Sequence, residues 1–423
     1  MSEILNRFRA LYDSKGDAIE AWLGAQRKTA APFVYTSVDL RHSGKRLVPV
    51  DTNLFPAGFN NLSPAGAARA GRYFHTFLSE HYPQAKKILL IPENHTRNLS
   101  YLQNLWRLKE ILTDAGAKVA IGSLTAEMGS PLELVSSEGN ALVEYAVAKQ
   151  GGRVVVDGGF APDLVLMNND MTAGIPDVIQ GISQSVIPSP EVGWWQRRKS
   201  VHFCAYQQLA KNFCAEFGLD PWLISAEFHQ CGVVDFKERT GLDCVAKGVD
   251  KVLECAREKH KQYGIAEDPY VYVKADSGTY GMGIMTVRSG SEMMELNKKE
   301  RNKMHMIKEG TQVSEVIIQE GIPTIDTVDG KPAEPMIYMV DGLPVGGMYR
   351  VNGQRDAQNN LNAAGVEFTG MCDEDEPSAG KQPIVGCHFR SFGLVAALAA
   401  LASPRERYGA EEKERRLRCK PCA

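Results

Sequence analysis

The stretch Lys274-Ala-Asp-Ser-Gly278-Thr-Tyr-Gly281-Met-Gly283 decides how this chain folds around its functional site. The apolar run 270–273 leads into it and the apolar run 284–287 follows it. A lysine at the end of one predicted strand, a turn with three glycines and a second strand form a flap. Its backbone N–H groups can close over phosphates, with an ammonium beside them. The stretch therefore predicts a nucleotide lid whose ligand contacts are Lys274, Ser277, Gly278, Gly281 and Gly283.

Other glycine-rich phosphate motifs are absent from the sequence. It contains no G-x-x-x-x-G-K-[ST], no strand-then-helix G-x-G-x-x-G with a following acidic ribose ligand, and no protein-kinase signature. Here the lysine precedes the glycines, and strands are predicted on both sides. A glycine-bearing hairpin without a ligand is the alternative interpretation of this segment taken alone.

Three segments downstream favour the nucleotide site. Residues 316–323 predict a buried strand that breaks into a loop and can present backbone groups to an adenine edge, through Gln319, Glu320, Gly321 and Ile322. A hairpin of 335–340 and 344–350 then directs Arg350 towards whatever the lid covers. The polar run 355–365 follows, and its amide oxygens suit Mg²⁺ or a substrate, with Asn360 and Asn362 as the predicted metal ligands.

In this order the elements resemble the ATP-grasp ligases. Residues 271–365 are similar to the bacterial glutathione synthetases, and the whole chain resembles the proteobacterial glutamate–cysteine ligases of ATP-grasp type. The resemblance implies an α/β fold, α+β in the C-terminal half: an ATP-grasp fold with an N-terminal Rossmann-like parallel-sheet domain. At one point the chain departs from the family, because the usual acidic Glu-x-Asn metal pair does not follow Gly365.

The same resemblance implies a reaction. ATP would phosphorylate the γ-carboxylate of glutamate, and the amine of cysteine would attack the resulting acyl phosphate. Lys274, Arg350 and Mg²⁺ would supply most of the catalysis, because phosphoryl transfer needs positioning and charge stabilisation more than a covalent nucleophile. Glutathione synthetase, or another amino-acid or peptide ligase of this type, would use the same nucleotide residues. Outside enzymes, an ATP-binding module without turnover is the alternative.

Length and composition set further bounds. With 423 residues and 43% hydrophobic content, the chain can bury a large core and is expected to form two or three lobes around one cleft. We predict an N-terminal substrate-side domain over 1–187, a mainly helical part over 188–270, and the lid and catalytic lobe over 271–423. A net charge of −3 carries no electrostatic signature of nucleic-acid binding.

The sequence predicts a cytoplasmic protein without a membrane partner. Its N-terminus lacks the apolar region of a signal peptide, and the longest apolar run, 392–402, is too short to cross a bilayer. Nine cysteines without framework spacing predict reduced thiols. A homo-oligomer is compatible with the sequence, which leaves the oligomeric state open.

The first half shows βα alternation. Strands are predicted at 87–91, 118–121, 153–156 and 164–167, with a helix between the first two that Asn98 or Ser100 caps. Such a crossover favours parallel pairing, and ligands lie at the carboxyl ends of parallel strands. Farther along, 200–216 and 250–261 predict helices, and the segment 194–199 is interpreted as a solvated basic turn beside the buried indoles of Trp194 and Trp195.

Two loops are candidates for amino-acid recognition. The first, 39–61, mixes charged and amide side chains with Phe55, Pro56 and Phe59, and it is either plain surface or an amino-acid pocket. An arginine can pair with an α-carboxylate and an aspartate with an ammonium. The second loop follows the first predicted strand of the βα unit. The predicted substrate residues are Arg41, Asp51, Asn53, Arg97 and Asn98.

Overall fold

The chain forms three β-sheets with helices packed on them, and the computed structural model describes residues 2–278, 283–305, 312–372 and 388–407. The helices of these residues are α1 (Glu3–Thr29), α2 (Pro64–His81), α3 (Leu99–Asp114), α4 (Lys199–Phe217), α5 (Leu242–Gln262), α6 (Gly290–Glu295), α7 (Lys298–His305) and α8 (Phe389–Ala402). The strands are β1 (Tyr35–His42), β2 (Leu47–Asn53), β3 (Lys87–Pro92), β4 (Lys118–Ser123), β5 (Leu132–Val135), β6 (Ala141–Gln150), β7 (Arg153–Val156), β8 (Leu164–Asn168), β9 (Ser185–Ile187), β10 (Phe228–Gly232), β11 (Val271–Ala275), β12 (Ile284–Val287), β13 (Glu315–Glu320), β14 (Thr327–Val328), β15 (Lys331–Val340), β16 (Leu343–Val351) and β17 (Glu367–Gly370).

The first sheet is the parallel sheet predicted for the N-terminal half. Its order is β5-β6-β4-β3-β8-β9, and β3 pairs in parallel with both β4 and β8. The predicted crossover helix is confirmed as α3, where the Asn98 side chain accepts a hydrogen bond from the backbone N–H of Tyr101. Strand β7 joins β6 in an antiparallel hairpin, because Gly151 and Gly152 adopt the positive φ angles that turn the chain back.

The second sheet has the order β10-β13-β11-β12 and is antiparallel. Helix α5 packs on it through Val249, Val252 and Leu253, which share one apolar core with Val271 and Ile318. The helix begins at Leu242, earlier than the predicted start at 250. This sheet carries both strands that flank the lid stretch.

The third sheet joins the two ends of the chain. Its order is β17-β16-β15-β1-β2, with Val38 of β1 opposite Ile337 of β15. Residues 35–53 therefore pair with strands from the far end of the chain, across the boundary predicted at 187. The division into 1–187, 188–270 and 271–423 stays a prediction.

The apolar run 392–402 lies in α8, a core helix that packs against the third sheet. Among the described residues, no helix is long and apolar enough to cross a membrane. The prediction of reduced thiols is confirmed for Cys204, Cys214, Cys231 and Cys244. It is wrong for Cys255 and Cys372, which are disulfide-bonded.

Candidate active site

A charged cleft lies between the second and third sheets. Strand β11 and the start of the lid form one wall, and β1, β2, β15 and β16 form the other. Eight predicted site residues from distant parts of the chain line it together: Arg41, Asp51, Lys274, Ser277, Gly278, Arg350, Asn360 and Asn362.

Lys274 ends β11 with its ammonium inside this cleft. The Nζ donates hydrogen bonds to the Gln319 Oε1 at 2.7 Å and to the backbone oxygen of Val50 at 3.3 Å. Burial lowers the pKa of the Lys274 ammonium to about 8, and the attraction of Asp51 offsets part of that effect. The amide nitrogen of Gln319, beside the lysine, is buried and has no hydrogen-bond partner among the described residues.

Arg350 lies opposite, on β16. Its Nη1 contacts the Asp39 Oδ2 at 2.7 Å and the Glu334 Oε1 at 2.5 Å. Burial alone would lower the pKa of this guanidinium, but the two carboxylates raise it above its ordinary value. Glu334 stands directly across from Arg350 in the β15–β16 register, so pairing of the two strands places this ion pair. The Arg350 Nε has no partner among the described residues.

Arg41 uses its guanidinium within the protein. The Nε contacts the Glu334 Oε2 at 2.6 Å, Nη1 donates to the carbonyl of Ala357 at 3.0 Å, and Nη2 donates to the carbonyl of Asn359 at 2.7 Å. It therefore ties β1 to the loop that carries Asn360 and Asn362.

Lys199 is a cleft residue that the sequence interpretation missed. The prediction of a solvated basic turn is wrong, because Arg197 is 1% and Lys199 7% exposed. The predicted burial of the indoles is confirmed for Trp194 and is wrong for Trp195, which is 38% exposed. The Lys199 Nζ contacts the Asp51 Oδ1 at 2.7 Å and lies 4.5 Å from the centre of the Trp194 ring. The signal in the sequence was the pair of tryptophans beside the basic run, since a buried indole can cover the stem and charge of a neighbouring cation.

The charges of the cleft suit a polyanion. Four cations, Arg41, Lys199, Lys274 and Arg350, face three carboxylates, those of Asp39, Asp51 and Glu334. One positive charge is thus left over when all seven groups are ionised. The cavity inside the cleft measures about 70 Å³.

A divalent cation fits this cleft if one protein carboxylate and the phosphates of the substrate bind it together. The described residues hold no cluster of three His, Cys, Asp or Glu side chains that could bind a metal ion by themselves. Mg²⁺ commonly binds through one or two carboxylates together with substrate phosphates and water. Asp51, whose pKa is kept low by Lys199 against the effect of burial, is an ionised carboxylate at the cleft wall.

The remaining predicted residues lie around the cleft or away from it. Gly283 borders an adjoining groove, and Gln319 lies beneath Lys274. Glu320 is paired with Arg46 at 2.5 Å and 3.0 Å, and Ile322 is buried with Val48 and Ala226.

Gly321 packs so closely on Tyr270 that a Cβ would meet the ring at 2.1 Å. The Asn53 Oδ1 accepts a hydrogen bond from the backbone N–H of Phe55. Arg97 and Asn98 line a separate groove over 94–100, and Gly281 lies outside the described residues. The binding roles of these residues stay predictions.

The fold and the cleft define a mixed α/β protein with a buried, cationic cleft between two antiparallel sheets. The chain belongs to the glutamate–cysteine ligase family, since the family model described as GshA, Glutamate-cysteine ligase, matches residues 10–407. It is therefore an enzyme, a ligase.

Solved structures include a close relative. The chain is 41% identical to a protein from Methylobacillus flagellatus KT that is assigned as a gamma-glutamylcysteine synthetase, covering 96% of each chain with a TM-score of 0.86. A glutathione synthetase-like effector from Globodera pallida is 10% identical, covers 86% of this chain and 80% of its own, and has a TM-score of 0.36. D-alanyl-alanine synthetase A from Vibrio cholerae is 11% identical, covers 67% and 74%, and has a TM-score of 0.31. The last two likenesses are too low to carry an argument. Curated protein sequences gave no match.

Proposed function

We propose that this ligase joins the γ-carboxylate of L-glutamate to the amine of L-cysteine, with conversion of ATP to ADP and phosphate. Membership of the glutamate–cysteine ligase family over 10–407 carries the choice of substrates. The cleft supports the use of ATP, because four cations enter it from four different elements and exceed its three carboxylates by one charge: Arg41, Lys199, Lys274 and Arg350.

ATP supplies the phosphoryl group that turns the γ-carboxylate of glutamate into an acyl phosphate, from which the cysteine amine displaces phosphate. The protein's part is positioning and charge stabilisation. Lys274 and Lys199 neutralise phosphate oxygens from two sides, while Arg350, held in place by Asp39 and Glu334, faces them from β16. The glycines of the lid keep water from the acyl phosphate.

We assign Mg²⁺ to Asp51 on β2, with Asn53 two residues farther along the strand. Residues two apart share one face of a strand, as an acidic-x-Asn pair requires. The ATP-grasp ligases usually carry such a pair on a late strand. In this chain β2 belongs to the sheet that also contains β16 and Arg350, which supports a metal pair on an early strand. On this view Asn360 and Asn362 border the bound substrates.

The test is ADP release measured with Mg²⁺ across amino acids and dipeptides. We expect steady turnover only when glutamate and cysteine are both present, with γ-glutamylcysteine as product. Turnover with γ-glutamylcysteine and glycine would instead make the enzyme a glutathione synthetase. ATP binding without ADP release under any of these conditions would mean a binding module.

A further inference from the structure

A groove of about 560 Å³ opens beside the charged cleft. Ile284, Asn360 and Asn362 line both spaces, so the groove leads directly to the place where Lys274 and Arg350 meet. Helix α7 forms one side, and the loop between β16 and β17 forms the other.

Two cations face this groove without a counterion. Lys303 of α7 and Arg355 of the opposite loop both line it, and neither forms an ion pair or side-chain hydrogen bond with any residue that the structure describes. Both are exposed. In the adjacent cleft every cationic side chain forms an ion pair or a hydrogen bond with another protein side chain. The groove therefore adds two cations without protein partners to the one surplus positive charge of the cleft.

One carboxylate completes the pattern. Glu300 lies three residues before Lys303 on α7, which places both side chains on the same face of the helix, and both line the groove. Met304 is buried and holds this short helix against the second sheet's core. The groove thus presents two positive groups and one negative group on two facing elements.

We infer that this groove binds the acidic amino-acid substrate, L-glutamate, and this inference rests on the proposed function. Glutamate at neutral pH carries two carboxylates and one ammonium, which complements Lys303, Arg355 and Glu300. Cysteine offers only one carboxylate and an uncharged thiol, so it leaves one cation unmatched. Glutamate held here directs its γ-carboxylate past Asn360 and Asn362 towards the phosphate-binding groups.

In this assignment Arg355, and not Arg41, binds a carboxylate of glutamate. The predicted pairing of Arg41 with a substrate carboxylate competes with three protein partners, those on Glu334, Ala357 and Asn359. The Arg355 guanidinium forms no such ion pair or hydrogen bond with the described residues. A guanidinium that is free and faces a groove is the better ligand for a carboxylate.

The test compares Lys303→Met and Arg355→Met with Lys299→Met, an exposed lysine of the same helix that does not line the groove. We expect the KM for glutamate to rise about tenfold or more in the first two variants, the size of a lost charged hydrogen bond. The KM values for ATP and cysteine should change less than about twofold, and Lys299→Met should match the parent. Because all three side chains are exposed, the variants should fold normally, which thermal unfolding checks.

Direct binding separates this inference from the proposed function. Calorimetric titration of the whole enzyme with L-glutamate needs no turnover, and Arg355→Met should weaken that binding by the same factor. A parent enzyme that shows no glutamate-dependent turnover would overturn the proposed function. An active parent whose Lys303→Met and Arg355→Met variants keep glutamate affinity and KM would overturn the groove assignment, as would a rise confined to the KM for ATP.

Discussion

Lys274 is a buried lysine with a pKa near 8, which makes nucleotide binding dependent on pH. Phosphates favour the charged ammonium, so the bound complex has a higher pKa for this group than the free enzyme. Below about pH 8 the free enzyme already carries the proton. Above it, binding must take up a proton, and we expect the ATP affinity to fall by up to about tenfold per pH unit.

Calorimetric ATP titrations from pH 7 to pH 9.5 measure this effect. Lys274→Met provides the control, because it cannot ionise and should bind weakly with little dependence on pH over this range. Equal slopes for the parent and Lys274→Met would show that another group causes the pH dependence.

Replacing Lys274 by Met should also lower kcat by about 10²–10³, as expected for a preorganised group that stabilises charge in the transition state. Arg350→Met should reduce activity as well, but it also removes the counterion of the buried Asp39 carboxylate and leaves Glu334 paired with Arg41 alone. Unfolding measurements are therefore needed beside the kinetics for Arg350. Activity within a few fold of the parent in both variants would remove the nucleotide site from this cleft.

Arg41 offers a test of positioning. From its sequence context, Arg41→Ala would mainly raise the KM for glutamate. Its contacts indicate that the substitution removes the hydrogen bonds to the carbonyls of Ala357 and Asn359 and one of the ion pairs of Glu334. We therefore expect kcat and the free energy of unfolding both to fall. The loss of stability should be about 3 kcal/mol, the size seen when one partner of a buried ion pair is removed. A selective rise in the glutamate KM with unchanged stability would restore the original assignment.

At the scale of elements, the β1–β2 hairpin gives the cleft two of its three carboxylates. Asp39 lies on β1 and Asp51 on β2, and antiparallel pairing sets them opposite each other in the register. Lys199, the first residue of α4, contacts the second of these carboxylates. Two consecutive strands and a helix far along the chain thus meet at Asp51.

Asp51→Asn should therefore raise the Mg²⁺ concentration needed for half-maximal activity by about tenfold, since a neutral amide oxygen is a weaker ligand for this cation than a carboxylate. The KM for cysteine should hardly change. Activity titrations against Mg²⁺ at saturating ATP measure the shift, and Asp220→Asn, which alters a remote contact with Lys259, is the matched control. An unchanged Mg²⁺ requirement would exclude Asp51 as a ligand.

At the scale of the whole molecule, Glu406, close to the last described residue, is linked to the same hairpin through Arg197. The carboxylate of Glu406 contacts the Nε and Nη2 of Arg197 at 3.0 Å and 2.7 Å and the Nδ1 of His202 at 2.9 Å. Arg197 in turn donates to the backbone oxygen of Thr52 on β2. Burial alone would raise the pKa of Glu406, but the Arg197 and His202 contacts hold it at about 2.

This lowered pKa links the stability of the whole molecule to pH. The contribution of Glu406 is fully present above its unfolded pKa of about 4.5 and is lost as pH falls towards about 2. Glu406→Gln should cost about 3 kcal/mol at pH 7 and progressively less in acid. Urea unfolding at several pH values measures this, with Glu367→Gln, in an exposed pair with Lys331, as a control that should change stability little. A cost independent of pH would contradict the linkage.

The sequence by itself determined the elements whose signals are local. Hydrophobic periodicity and an asparagine cap located β3, α3 and β4. A lysine near a strand end, followed by glycines, located Lys274 and the wall of the lid. These signals can be read from sequence because each depends only on residues close by in the chain. The whole-chain resemblance to the glutamate–cysteine ligases is confirmed by the match over 10–407. The ATP-grasp resemblance, which the order of lid, hairpin and arginine carried, stays a prediction.

Only the tertiary structure decided which distant segments complete the cleft. The pairing of β1 with β15 brings Asp39 and Asp51 to Arg350 and Lys274, and no spacing in the chain encodes a contact across some three hundred residues. The same holds for Lys199, whose burial depends on Trp194 and Asp51 meeting it in space, and for Arg41, whose charge is taken up by Glu334. A side chain's type states what it can bind, whereas its partners in the fold decide whether it is free to do so.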